Sequence, residues 1–514
     1  MKKIQLLTVA ISFALLTGAC DKWFDGALPI DKNLEPKQYA SELDINAVLN
    51  GVYQSMASET LYGLHLTHTT TELLAHYYYY PSSLATEPGY INYYMVSEYY
   101  YSTIATTLSS MWKDAYSLIF KINNFIYNVE STTVVSEQKK NILMGEAFGL
   151  RAFLHLDMMR MFGDQDLPYN QDYEVTSHPM LNRDAFFELL LADIDKADSL
   201  LQLSDPLWAP GAKILGDGTE GMQGVPTSDV FYKYFRNYRL NVYAVQALKA
   251  RALMYRNNAG DKAQAAEIAQ QILDRAFGSN KPFEYYDTSS KEQYFGGNDY
   301  IFYPEVIFGI YNLDLPENWK DQTEGRVAGS VLAVDEVNLR SNIFGNDPQG
   351  GDISTWADVR SRQWTKSNLT ADKYISNKYK EETHTLPYYS YQVDVIKYYQ
   401  PLIRTAELRY IVIENLIDEG KYDDAVQILA DFLLHRGWKQ QDIDNYLSGS
   451  ITEDYLNSLL ETEYYKEFYA EGQTFFFLKR RKSATIFDAA QAGKVPLRSD
   501  AFNVPLPDDE INYY

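Results

Sequence analysis

Along much of this chain, apolar residues recur every three or four positions, the spacing that places them on one face of a helix. Trp112, Tyr116, Ile119, Ile122 and Ile126 predict a helix over 112–129. Leu143, Ala147, Leu150, Leu154, Met158 and Met161 predict another from about Ile142 to Phe162. Gly163 follows as its C-terminal stop. Helical patterning begins near Asp44 and returns over 183–201. Two stretches then read as helix–turn–helix pairs, 238–257 with 261–276 and 402–419 with 421–436. In the first pair Ala244, Leu248, Ala252 and Tyr255 line one helix, Gly260 and Asp261 mark the turn and next N-cap, and Ala265 and Ala269 allow close packing. In the second pair "GKYDDA", with Gly420, Tyr422 and Ala425, has the turn and second-helix spacing of a tetratricopeptide repeat.

Other stretches break this periodicity. Residues 20–40 are rich in turn formers and read as an extended tether. Residues 77–104 are dense in tyrosine and contain Pro81, Pro88 and Gly89. Residues 278–400 are rich in Gly, Pro, Asn, Asp and aromatics. Long irregular insertions in a compact protein are usually binding loops. The expected fold is therefore mainly α: one body over 41–514, with a tetratricopeptide-like helix-pair scaffold carrying a loop-rich ligand-binding lobe.

The N-terminus sets the expected compartment. Lys2 and Lys3 precede a mostly apolar run from Ile4 to Leu16, then Thr17, Gly18 and Ala19 lead to Cys20. This is the pattern of a secretory signal over residues 1–19, too short to span a membrane. Cys20 is the single cysteine, so no internal disulfide can form, and a lone thiol at the first mature position is best explained as a lipid attachment point. Several acyl chains make such an anchor stable. Beyond it, no segment holds the ~18 apolar residues that a membrane span needs. The protein is expected to be tethered to a membrane, not embedded in it.

Composition adds three constraints. At 46% hydrophobic and 22% charged, 514 residues supply ample material for a core. A net charge of −23 argues against nucleic acid, which needs a basic face to release counterions. The 44 tyrosines, beside 24 Phe and 7 Trp, supply many flat rings with polar edges, suited to half-wet surfaces.

Catalytic signatures are missing. There is no GxSxG elbow, no phosphate loop and no HExxH. His65 and His68 could chelate a metal from a helix, but two ligands are too few, and a surface or packing role is expected. No catalytic residue, metal or cofactor is assigned. Glu146, Arg151, Arg404 and Glu407 are expected to form buried or half-buried salt bridges between stacked helices.

Eight blocks in order then resemble the SusD/RagB family of outer-membrane lipoproteins from Bacteroidetes. They are "CDKWFD", "AVLNGVY", "WKDAYSLIFKINNFI", "GEAFGLRAFLHLDMMRMFGDQDLP", "ALKARALMY" with "PEVIFGI", "PLIRTAELRYIVIEN", "FYAEGQTFFFLKRR" and "VPLPDDEI". The chain departs from the family at Glu463-Tyr464, where "ER" is usual, and at "HRGW", where an Arg-rich run is usual, which places it in a divergent branch.

The resemblance implies a cell-surface protein that binds a nutrient, most often a glycan, and caps a SusC-like TonB-dependent transporter, with its helix pairs toward the transporter and its variable loops on the ligand. Aromatic rings pack on the CH faces of pyranoses while amides and carboxylates bond the hydroxyls. The expected ligand residues are Tyr78, Tyr80 and Tyr94 with Asn92 in the first loop, and Trp319 and Trp356 with Asn318 and Asp352 in the second. In the Tyr77–Tyr80 run alternate rings are expected to point opposite ways. Two other readings stay open: a peptide-binding member of the same fold, and a glycoside hydrolase working through paired carboxylates.

Overall fold

Side-chain caps decide where several helices begin. Ser41, Ser136, Asn182, Asn241 and Thr452 each accept a hydrogen bond from a backbone N–H two or three residues on. The computed structural model describes residues 38–508 apart from 79–98, 100–101, 174–178, 215–231, 234, 287–298, 325–331, 346–352, 354–355, 369–371, 381–396 and 450. Tyr39 already packs its ring on Phe125 and donates to the Asn124 Oδ1.

The helices of the first half are α1 (Glu42–Met56), the short α2 (Thr70–Leu74), α3 (Ser102–Glu130), α4 (Glu137–Phe162) and α5 (Arg183–Ser204). They continue with α6 (Val242–Arg256) and α7 (Asp261–Ala276). Helix α3 begins ten positions earlier than the apolar spacing alone marks, at Ser102. α4 packs along both α3 and α5, and is buried nearly all round. Gly163 does close α4, but with φ −80°, not in the left-handed region. Its glycine is required by crowding: a Cβ there would sit 2.2 Å from the Met159 carbonyl oxygen.

The expected helix pairs are present. α6 packs on α7, and later α9 (Thr405–Asp418) packs on α10 (Tyr422–His435), with α7 against α9 joining the two pairs into one layer. Gly260 and Gly420 turn the two corners with φ of +88° and +72°. Asp261 is not the cap but the first helical residue. Its carboxylate takes a two-pronged bond from Arg256 and one from the Asn258 N–H, stapling the turn.

Between the pairs, the described part of the stretch expected as loop carries several regular elements. β3 (Val306–Tyr311) runs antiparallel to β7 (Tyr399–Arg404), with Gly309 opposite Pro401. α8 (Leu315–Thr323), a π-helical turn at Asn338–Ile343 and a three-stranded sheet lie between these two strands in sequence. That sheet orders β4 (Val334–Asp335), β6 (Lys373–Ser376) and β5 (Trp364–Lys366). β1 (Leu167–Pro168) and β2 (Met180–Leu181) form a small ladder after α4.

The C-terminal part adds α11 (Gln440–Tyr446), α12 (Glu453–Glu467), α13 (Gln473–Arg480) and the β8 (Thr485–Phe487) and β9 (Lys494–Pro496) hairpin. One hydrophobic cluster runs from α1 to Leu506 and includes residues of every helix pair. The fold is mainly α, as expected. No described helix is long and apolar enough to cross a membrane.

Candidate functional site

The structure corrects three of the expected ligand aromatics. Tyr78, Trp319 and Trp356 are all under 5% exposed. Tyr78 donates to the His68 carbonyl oxygen at 2.9 Å and its ring meets Tyr469. Trp319 donates to the Ser376 carbonyl oxygen at 2.9 Å, among the rings of His68, Tyr379 and Tyr469. Trp356 packs on Phe344 beneath Arg340. Rings enclosed on both faces have no surface left for a sugar, so these are core residues of the lobe. Tyr77 and Tyr78 are both buried, against the alternation expected of them, because the segment threads under α12 and α13, with Tyr77 bonding Tyr465 and Thr474. Asn318 is half-buried on α8. Tyr80, Asn92, Tyr94, Asp352 and Cys20 lie outside the described residues.

His65 and His68 are packing residues too. His68 bonds the Gln400 Oε1 at 2.7 Å, and burial pushes its pKa down to about 3. Burial lowers His65 to about 4, beside Thr69. Among the described residues no group of three potential ligands could hold a metal ion.

The charged residues form ion pairs, with partners that sequence spacing did not reveal. Glu146 bonds Arg236 and Arg239, not Arg151, which forks onto Asp193. Glu407 takes both prongs of Arg251, and Glu414 both prongs of Arg480. Arg404 bonds Glu467 at 2.5 Å and Glu471 at 2.7 Å.

Around Glu467 these pairs merge into one buried centre. Arg404, Arg436 and Arg360 converge on its carboxylate. Arg436 also forks onto Glu305, Arg360 also bonds Asp358 and Glu463, and Lys466 and Lys378 complete the net on Glu463 and Glu471. The five cations and five carboxylates are each no more than 3% exposed. Burial alone would raise the Glu467 carboxyl, but Arg436 and Arg404 outweigh it and hold it well below the usual range. Every member is matched in charge and held by a neighbour, the arrangement of a structural clamp.

Glu72 is the exception nearby. It is wholly buried, and its Oε1 accepts from the Gly472 N–H at 2.9 Å while Oε2 has no partner. Burial pushes its carboxyl well above the ordinary range, favouring the neutral form.

An open site remains where the tyrosine-dense stretch meets the chain end. Tyr99, next to α3, is buried with its hydroxyl donating to the Ala501 carbonyl oxygen. Beside it a cleft of about 340 Å³ separates the first turns of α3 from residues 505–508. Thr106, Ser109 and Ser110 offer hydroxyls on one wall, and Pro505 and Pro507 offer apolar rings on the other. This size lies within the range of small-molecule sites. A row of hydroxyls facing apolar rings suits a ligand with polar edges and an apolar face. The cleft was not anticipated, because its walls are nearly 400 residues apart in sequence.

Comparison with known proteins agrees with this architecture. Residues 29–201 match the model of a SusD-like family described as starch-binding and associating with the outer membrane. A SusD superfamily protein from Bacteroides thetaiotaomicron superposes with a TM-score of 0.64 at 18% identity, covering 92% of this chain and 98% of that one. A SusD-like carbohydrate binding protein from Bacteroides vulgatus gives 0.62 at 14% identity, covering 92% and 96%. NanU of B. fragilis gives 0.57 at 17% identity, covering 88% and 92%. No curated protein matches the chain.

Proposed function

We propose that this is a SusD-like surface lipoprotein that captures oligosaccharide for a SusC-like TonB-dependent transporter of the outer membrane, supported by the match of residues 29–201 to the SusD-like family model and by a shared fold over nearly all of its length. The observation that carries this reading is the family match, whose description joins starch binding to the outer membrane. The protein binds and hands over its ligand without chemistry of its own. In support, the carboxylates of its charged centre are each engaged by a cation.

Ligand contact belongs to the tyrosine-dense segment, through Tyr80, Asn92 and Tyr94, together with Asn318, Asp352 and the cleft at the start of α3. Calorimetric titration of the chain from residue 21 onward, against neutral and acidic oligosaccharides and one peptide pool, tests this. A saturable glycan signal weakened about tenfold or more by Tyr94→Ala or Ser109→Trp is expected, equivalent to losing about 1.4 kcal/mol of binding. Heat from peptides alone would sink the glycan reading.

Cys20 carries the anchor. Radiolabelled palmitate fed to cells should enter the wild-type chain and not Cys20→Ala, which should fractionate away from membranes. Equal labelling of both would remove the lipoprotein assignment.

A further inference from the structure

An open groove of about 650 Å³ runs along the helical scaffold, over α6 and between α5 and α7. It shares no described lining residue with the cleft beside α3. We propose that this groove is a second carbohydrate site, selective for neutral, hydroxyl-rich glycan. The choice of ligand class rests on the glycan reading above; the location does not.

One end of the groove is a fixed aromatic platform. Trp208 follows α5 in a tight turn whose Leu207 N–H is held by the Asp205 carboxylate, with Leu207 itself buried. The Arg275 guanidinium lies 3.5 Å from the indole centroid. It donates to the Trp208 carbonyl oxygen at 2.8 Å and to the Tyr243 hydroxyl at 3.2 Å. Cation and ring therefore hold each other in place before any ligand arrives. Trp208 nevertheless remains half-exposed, unlike Trp319 and Trp356.

The floor and far wall carry preset hydrogen-bonding groups. The Asp198 carboxylate accepts from the Gln246 amide at 3.0 Å and from the Gln202 amide at 2.7 Å. With their NH2 groups so engaged, both glutamines keep their carbonyl oxygens as acceptors. Lys249, held at 2.6 Å by Asp195, keeps further N–H donors, as does Arg275. Sugar hydroxyls donate and accept at once, and so need both kinds of partner along one surface. A charged ligand does not fit as well, because the charges lining the groove cancel: Asp198 and Asp274 against Lys249 and Arg275. A peptide is disfavoured because Trp208 and Ile268 are its only large apolar surfaces, too few to anchor side chains along an extended chain.

The test is calorimetry of the chain from residue 21 onward with maltohexaose, cellohexaose, xylohexaose and mannohexaose, comparing wild type with Trp208→Ala, Gln246→Ala and Ser109→Trp. Gln246→Ala changes a half-exposed side chain, so it keeps the proposal testable if Trp208→Ala destabilises the turn. At least one hexasaccharide should bind with a component that both groove variants weaken about tenfold or more and that Ser109→Trp leaves intact. Binding that only Ser109→Trp removes would overturn the groove proposal and leave the primary reading standing. Binding that only the groove variants remove would uphold the groove and overturn the ligand site placed beside α3. Heat from a peptide pool that Gln246→Ala abolishes, with none from the sugars, would overturn the ligand class.

Discussion

Replacing Glu467 by Gln is expected to cost about 3–5 kcal/mol of folding stability, the usual penalty for breaking a buried ionic set by removing one member. The side chain keeps its volume, so no cavity term enters. What changes is charge: Arg404, Arg436 and Arg360 all aim at this carboxylate, and the centre would hold one uncompensated positive charge in the interior. Urea unfolding at pH 7 should show the midpoint falling sharply, while Asp500→Asn, which loses only an exposed pair with Arg498, should leave it unmoved. The pH dependence checks the cause. The Glu467 carboxyl is held well below its ordinary value when folded. Its stabilisation is therefore complete above the unfolded pKa of about 4.3 and drains away as pH falls toward the folded value. The gap between wild type and Glu467→Gln should narrow with acidification below about pH 4. A gap that stays constant down to pH 2 would show that charge is not the cause.

Gly472→Ala is expected to destabilise the fold by about 3 kcal/mol or more, through two independent penalties. Gly472 caps α13 with φ +73°, a conformation L-residues adopt at a cost of about 1–2 kcal/mol. A Cβ there would also lie 2.0 Å from the Leu66 carbonyl oxygen and 3.1 Å from the Thr71 hydroxyl. The first of these is backbone, which can yield only by shifting the lead into α2. That shift would also pull Glu72 away from the Gly472 N–H, freeing a buried carboxyl that already lacks one partner. Gly420→Ala makes a control, since Gly420 has a similar φ of +72° and no heavy atom within 4 Å of a Cβ. If the two variants unfold at the same urea concentration, the steric half of this argument is wrong.

The helix pairs were legible because their signals are local. Apolar residues at helical spacing, the small Ala265 and Ala269, and glycines at both corners all agree within a few residues of each other. α12 and α13 were missed as elements for the opposite reason. α12 buries Glu463, Lys466 and Glu467 after Leu456, Leu459 and Leu460, so its short apolar stripe gives way to charge over its second half. The charge that hides the helix is matched only by residues such as Arg360 and Arg404, over 60 positions away. The same distance blindness applied to Glu146, whose real partners follow 90 residues later. The ligand lobe was misread in a different way. Aromatic density within irregular sequence suggested displayed rings, yet Trp319, Trp364, Tyr374 and Tyr379 supply the lobe's own core. An indole whose N–H can reach a backbone carbonyl, as Trp319 reaches Ser376, is as well served inside as outside. Composition cannot distinguish the two.

The contacts of α12 and α13 with the first third of the chain bear on when the fold can form. Tyr77 bonds Tyr465, Glu72 bonds Gly472, and the Lys479 ammonium reaches the Met161 carbonyl oxygen, joining residues 388, 400 and 318 positions apart. Tyr99 and Gln165 bond Ala501 and Val504, still later in the sequence. While the chain is being synthesised, the surfaces of α2 and α4 that await these partners stay uncovered. Closing such long loops is also slow. The helix layers of the first half can pack on one another as they are made, but the faces of α2 and α4 turned toward α12 and α13 gain their native cover only when almost the whole chain is present.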